Sequence, residues 1–312
     1  METMAVVLQE PEHLALSRLA LTAPTDDDLV VDIEWSGIST GTEKLLWFGR
    51  MPNFPGMGYP LVPGYESVGR IASVGASATG TVGDRVFVPG ARCFGEVRGL
   101  FGGAAAKLVV PASRVIAIDE ELGERGILLA LAATAYHAVH LPGAAPPDLI
   151  VGHGVLGRLI ARIAVIAGAN PLVWERNPDR AHGAIGYQVI DPESDSRRDY
   201  TSICDVSGDS TILDTLVSRL GSGGEIILAG FYSERLSFAF PPAFMREARL
   251  RIATEFKPAD LAAVTALIAS GQLSLDGLIT HRCDALQADT AYRTAFNDAG
   301  CLKMILDWRH CA

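Results

Sequence analysis

The sequence predicts an α/β chain in two parts, a β-rich first third followed by a parallel sheet covered by helices. Three observations carry this expectation. Short apolar runs punctuated by Gly and Pro fill the region before Leu122, apolar strand candidates alternate with helical stretches from Asp148 to Ala253, and a G-x-G-x-x-G turn joins one of those strands to the helix after it. At 312 residues the chain has room for about two domains of roughly 150 residues each. Apolar residues make up 49% and charged residues 20%, which excludes general disorder. Lys and Arg total 26 against 36 Asp and Glu, a net charge of -10, so the basic footprint of a nucleic-acid binder is missing.

In chain order, the runs Met4 to Leu8, Leu14 to Leu19, Leu29 to Ile33, Val68 to Val74, Arg85 to Val88 and Lys107 to Val110 read as strands of a Greek-key or barrel-like domain. Gly126 to Val139 is Ala/Leu-rich and free of Gly and Pro after its start, which predicts a buried helix. Asp148 to Gly152, Pro171 to Glu175, Ser202 to Val206, Glu225 to Gly230 and Leu250 to Ala253 are the strands expected in the parallel sheet. A helix over Ala259 to Ser270 follows, and Met304 to Trp308 is apolar enough to return as a strand to the first part. Five scattered cysteines, Cys93, Cys204, Cys283, Cys301 and Cys311, without Cys-x-x-Cys spacing read as reduced thiols. Met1 to Glu10 lacks the basic start of a secretory signal. The most apolar stretches, Gly126 to Leu141 and Leu149 to Trp174, are broken by His137, His140, Arg158 and Arg162. The expectation is a soluble cytoplasmic protein with no integral membrane segment.

The glycine turn carries the first chemistry. Gly152 permits the tight turn, Gly154 lets the backbone approach a pyrophosphate, and Gly157 allows the helix to pack closely on the strand. The helix amino end at Val155, Leu156 and Gly157 offers free N–H groups and a positive dipole to the phosphates. Val155, Leu159 and Ile163 share one helical face, Leu156, Ile160 and Ala164 the row beside it, and Arg158 and Arg162 another. Glu175 ends the second strand twenty-three positions after Gly152, near the spacing of about 20 at which an acid accepts hydrogen bonds from the ribose 2′-hydroxyl. A carboxylate there repels a 2′-phosphate, so NAD is the expected cofactor. Arg176, beside it, could instead accommodate that phosphate, and NADP stays open.

The remaining landmarks resemble the medium-chain dehydrogenase/reductase family. They are Trp35-Ser-Gly-Ile-Ser-Thr-Gly-Thr-Glu43, Val62-Pro-Gly-Tyr-Glu66, Gly69, Val82-Gly-Asp-Arg-Val86, Phe101-Gly-Gly103 with Lys107-Leu-Val-Val-Pro111, and Ala133-Thr-Ala-Tyr136. The resemblance implies a GroES-like β-rich catalytic domain over residues 1–121, a Rossmann NAD-binding domain over 122–257, and a carboxyl-terminal return over 258–312. It also implies a homodimer and places Thr134 near the nicotinamide. Zinc-dependent members carry a Cys and a His where this chain has Ser39 and Tyr65, neither a usual zinc ligand. The structural zinc lobe would fall between Ala91 and Gly103, where only Cys93 remains, so neither metal is expected. The stretch from Trp35 to Glu66 is similar to the subgroup of hydroxyethyl bacteriochlorophyllide dehydrogenases, which implies NAD-dependent oxidation of a 1-hydroxyethyl group on a tetrapyrrole to acetyl.

Trp47, Phe48, Met51, Phe54, Met57 and Tyr59 set six large side chains among Gly and Pro that favour a loop. Either a planar chlorin or bacteriochlorin stacks there, or the loop folds over its own apolar cluster. For proton handling without zinc, Tyr65 and Ser39 are the candidates to hydrogen-bond the substrate oxygen, and Glu66 and Glu43 could orient them or accept the proton. A basic Tyr65 needs its pKa of about 10 lowered, and Lys44 is the cation at hand. Tyr65 could equally be an aromatic filling the vacated metal position. His137 reads as a satisfied core histidine and His153 as a phosphate contact. Two other functions compete: a zinc-independent quinone or enone reductase, and a non-catalytic pigment- or dinucleotide-binding module.

Overall fold

A computed structural model describes residues 1–53 and 55–311. It divides into two compact units, Met1–Ala130 with Leu278–Ala312, and Leu131–Gly277. The divisions therefore lie later than residues 121 and 257. The second moves because the helix Pro258–Ala269 belongs with the parallel sheet: Asp260 meets His137 at 3.0 Å, and the carbonyls of Ser274 and Asp276 accept from Arg162.

The first unit is built on two sheets. One runs His13–Ala20, Glu2–Glu10, Leu61–Val62, Arg98–Gly99, and the other is seven-stranded around the long strand Asp28–Ile38. All six strands expected before Leu122 are present, each within an element the structure contains. The expected carboxyl-terminal strand is Met304–Asp307, antiparallel to Asp28–Ile38 with Met304 opposite Ile38 and Asp307 opposite Trp35. It brings along a parallel neighbour, His281–Asp284, that periodicity did not reveal. The helix Ala288–Asn297 buries Ala288, Ala291, Tyr292, Ala295 and Phe296, an i, i+3, i+4, i+7, i+8 stripe that fastens it to this unit's core.

The second unit is one six-stranded, all-parallel sheet in the order Gln188–Ile190, Leu172–Trp174, Leu149–Val151, Tyr200–Asp205, Leu220–Leu228, Arg249–Ile252. That order reverses direction at Leu149–Val151, which puts a crevice at the carboxyl ends of the central strands. The helix Val155–Ile166 is buried on nearly every side. Arg158 and Arg162, expected on a separate face, are also buried, because their guanidinium groups are spent on loop carbonyls. No helix among the described residues is long and apolar enough to cross a membrane.

Candidate active site

In the first unit the residues that replace the zinc ligands stand together. Ser39 follows the long central strand and is buried. It forms a reciprocal loop with Glu43: the Glu43 N–H donates to the Ser39 carbonyl at 3.1 Å, and the Ser39 N–H donates to Glu43 Oε1 at 3.0 Å. Tyr65 and Glu66 enter from the turn after Leu61–Val62. Gly64 makes that turn possible, with φ of +96° and no room for a Cβ, which would lie 2.9 Å from the Ala104 nitrogen. The Tyr65 hydroxyl donates to Ser39 Oγ at 2.9 Å, and the Thr42 N–H donates to the same oxygen at 3.3 Å.

Two side chains unread in the sequence complete the cluster. Tyr292 donates to Glu43 Oε2 at 2.6 Å, and Lys303 pairs with Glu66 Oε2 at 2.7 Å while also reaching the Ile38 carbonyl at 3.3 Å. Glu66 is fully buried, and its Oε1 has no hydrogen-bond partner among the described residues. A side chain at Gly37 would collide with it, the Cβ falling 2.2 Å from Glu66 Oε2.

Burial dominates the proton affinities here. It pushes Glu43 up to about 7 against the hydrogen bonds from Tyr292 and Ser39, and it raises Glu66 against the pull of Lys303. Tyr65 is raised well above its ordinary value by burial and by the Glu66 charge, so the phenol stays neutral and serves as a donor rather than a base. The Lys44 ammonium donates to the Phe296 carbonyl at 3.1 Å. The donor set does not fit a zinc ion. The two positions hold hydroxyls bonded to each other, the adjacent carboxylate is committed to an ammonium, and no three His, Cys, Asp or Glu among the described residues group as a metal site.

The aromatic segment departs from the expectation of an open stacking surface. Thr42–Trp47 forms a short helix, and Trp47 is 2% exposed, packed against Tyr292 and Phe296 at 6.0 and 5.9 Å. Met51 is buried in the same core. Trp47 is therefore structural, because the helix Ala288–Asn297 supplies it with an apolar partner, and Met51 is part of the core as well. Phe48, Met57 and Tyr59 remain partly exposed, with the Tyr59 hydroxyl donating to the Leu46 carbonyl. Phe54 lies outside the described residues.

In the second unit the glycine turn has the geometry its sequence demands. Gly152 sits at φ +106°, and a Cβ on Gly157 would fall 1.9 Å from the Gly152 carbonyl oxygen. A Cβ on Gly154 would meet nothing within 4 Å, so this residue faces open space at the start of Val155–Ile166, where Val155, Leu156 and Gly157 present the first helical N–H groups. Glu175 closes the crevice, its Oε2 accepting from the His153 N–H at 3.3 Å and its Oε1 from the Asn177 N–H at 2.8 Å. Arg176 is exposed next to it, and Thr134 lies partly exposed on the helix Leu129–Val139. These residues fit a dinucleotide, which would supply a nicotinamide as hydride acceptor or donor. Two histidines resolve differently. His137 is a satisfied core residue beside Asp260, but the His153 ring is buried with both nitrogens occupied by the Arg180 carbonyl and the Tyr187 hydroxyl, which leaves neither for a phosphate.

The alcohol dehydrogenase GroES-like domain family matches residues 25–120. Over 311 residues, covering 99% of each chain, the protein is 59% identical to a 2-desacetyl-2-hydroxyethyl bacteriochlorophyllide A dehydrogenase of Rhodobacter capsulatus. It is 56% identical, across 100% of both chains, to the enzyme of the same name from Cereibacter sphaeroides. Among solved structures it resembles an L-idonate 5-dehydrogenase from Escherichia coli, with a TM-score of 0.85 at 18% identity over 98% of each chain. It also resembles a 2R,3R-butanediol dehydrogenase from Bacillus subtilis, with a TM-score of 0.83 at 19% identity over 98% of this chain and 99% of that one. Taken with the glycine turn and the remodelled ligand positions, these likenesses show that the chain belongs to the medium-chain dehydrogenase/reductase family.

Proposed function

We propose that this chain oxidises the 1-hydroxyethyl substituent of a bacteriochlorophyllide to an acetyl group, with NAD as hydride acceptor and without zinc. The observation that carries the reading is the end-to-end identity of 59% and 56% to two dehydrogenases named for that hydroxyethyl compound. The carbinol carbon gives up a hydride to the nicotinamide, its hydroxyl gives up a proton, and a ketone remains. Zinc-dependent relatives promote loss of the proton by coordinating the oxygen. Here the Ser39 hydroxyl, already accepting from Tyr65 and the Thr42 N–H, has its own hydrogen left to donate to the substrate oxygen. Glu43, whose carboxyl is pushed up to about 7, accepts from the Ser39 N–H and from Tyr292 and so holds the Ser39 hydroxyl in place, while the substrate proton leaves to water. Glu66, held by Lys303, sets the field under the pair.

Glu175 supports NAD over NADP in this reading, and Phe48, Met57 and Tyr59 are the partly exposed side chains left to meet a macrocycle. A cytoplasmic homodimer belongs to the same reading. Phe240, Phe244, Met245 and Ile252 are exposed around the edge strand Arg249–Ile252, a surface suited to a second copy. The test is NADH formation from a hydroxyethyl bacteriochlorophyllide, with NADP and a quinone panel run in parallel, before and after chelation. Turnover of the pigment with NAD, undiminished by chelator, is expected. Quinone reduction without pigment oxidation would replace this reading with a reductase, binding of pigment or nucleotide with no turnover would replace it with a binding module, and activity lost with a stoichiometric metal would overturn the zinc-free chemistry.

A further inference from the structure

His153, inside the glycine turn, is fully buried and has a complete set of partners that no phosphate contact requires. Its Nδ1 lies 2.6 Å from the Arg180 carbonyl oxygen and its Nε2 2.9 Å from the Tyr187 hydroxyl. A carbonyl only accepts, so Nδ1 carries the hydrogen. Nε2 is then a lone pair, and Tyr187 must donate to it. The ring is neutral in this arrangement, consistent with burial and the nearby Arg158 charge, which push its pKa down to about 4. Arg158 repeats the pattern from the next turn of chain, donating to the Arg180 carbonyl at 2.8 Å and to the His153 carbonyl at 3.0 Å. The loop runs so close to this guanidinium that a Cβ at Gly183, where φ is +80°, would lie 2.4 Å from Arg158 Nη1.

What is pinned is the short turn Pro178–Arg180, three residues beyond Glu175. The same His153 that holds it through its ring also donates its backbone N–H to Glu175 Oε2, while Asn177 in the pinned loop donates to Oε1. Both carboxylate oxygens are thereby oriented, and each keeps a lone pair for a ribose hydroxyl.

We infer that His153 is a positioning residue for the nucleotide: with Arg158 and Tyr187 it locks the Glu175 loop onto the glycine turn and so sets the discrimination between a free and a phosphorylated 2′-hydroxyl. This rests on the NAD reading of the site. The test titrates NADH and NADPH against full-length wild type, His153→Ala, His153→Asn and Tyr187→Phe, and measures kcat, KM and the thermal midpoint of each. In His153→Ala the NADH dissociation constant rises by about tenfold and that for NADPH changes by less than about twofold, while kcat at saturating NAD stays within about twofold. Asn keeps a donor where Nδ1 stood, so His153→Asn recovers most of the NADH affinity. Tyr187→Phe, which removes one hydroxyl, loses about threefold and covers the case in which His153→Ala does not fold. A folded His153→Ala with the wild-type ratio of NADH to NADPH affinity overturns the inference, as does an Asn variant no better than Ala. Should His153→Ala fail to fold, an unchanged ratio in Tyr187→Phe overturns it. Wild type binding NADPH more tightly than NADH would instead overturn the NAD reading itself, a separate outcome of the same titration.

Discussion

Replacing Lys303 by Met removes the ammonium from a pair in which neither side chain meets water: Lys303 is 2% exposed, Glu66 0%, and they are 2.7 Å apart. Breaking a buried pair from one side typically costs about 3 to 5 kcal/mol, because the remaining charge is stranded. Glu66 is poorly placed to find another partner, since its second oxygen already has none. Its escape is to take up a proton. From an ordinary carboxyl value of 4.5, that costs about 1.36 kcal/mol per pH unit, roughly 5 kcal/mol at pH 8 and roughly 2 kcal/mol at pH 6. Burial already raises Glu66 with the ammonium in place, and losing Lys303 raises it further, so between those two folded values the deficit relative to wild type grows as pH rises. Urea denaturation of Lys303→Met at the two pH values should give a deficit of about 3 to 5 kcal/mol at pH 8, shrinking to about 2 kcal/mol at pH 6. Adding Glu66→Gln should recover all but about 1 kcal/mol, since neither charge remains. A deficit below about 1 kcal/mol at pH 8, or one that does not vary with pH, would refute the reasoning.

Three further outcomes are expected. Glu43, with its folded pKa raised from 4.5 to about 7, makes the protein lose stability as pH climbs between those values, by about 3 kcal/mol in all, and Glu43→Gln should flatten that slope in thermal scans across the range. Trp47→Ala should cost about 3 to 5 kcal/mol of stability because Trp47 is core, while the partly exposed Phe48→Ala should cost less and weaken pigment binding, so melting and pigment titration on both variants separate the two roles. Gly157→Ala forces a methyl to within 1.9 Å of the Gly152 carbonyl and should weaken NADH binding by at least about tenfold, and wild-type affinity in a folded variant would count against the close packing of turn and helix.

Elements with a strict local pattern were readable from sequence. Five of the six parallel strands were readable, most plainly the apolar runs Leu149–Val151 and Leu172–Trp174, whereas the short edge strand Gln188–Ile190 was not, and the glycine turn betrays itself because Gly152 and Gly157 have steric duties that no other residue can perform. Ser39 and Tyr65 could be paired only through the family resemblance, since twenty-six positions separate them. What stayed hidden depends on distant partners. Trp47 reads equally well as a stacking surface or as core until Tyr292 and Phe296 of the helix Ala288–Asn297 are known to lie against it. Arg158 and Arg162 look like a solvated face because nothing local announces that loop carbonyls will receive them. Lys303 did leave a trace, a lone cation before the apolar Met304-Ile-Leu-Asp-Trp308, and such a residue must either snorkel or find a buried anion.

The carboxyl-terminal strand has a consequence for synthesis on the ribosome. Met304–Asp307 lies along the central strand Asp28–Ile38, and Trp308 donates to Ser36 Oγ at 2.8 Å, so the first unit is held together by residues translated some 270 positions apart. The nucleotide-binding unit is a single uninterrupted stretch, Leu131–Gly277, and can close as soon as it leaves the exit tunnel. The half that holds Ser39, Tyr65 and Glu66 must wait with an open sheet edge until the final strand arrives. A premature stop before Lys303 would therefore release a chain whose dinucleotide fold is whole while its chemistry is unassembled, with Glu66 stranded without a counter-charge and the Asp28–Ile38 edge exposed to aggregation or proteolysis.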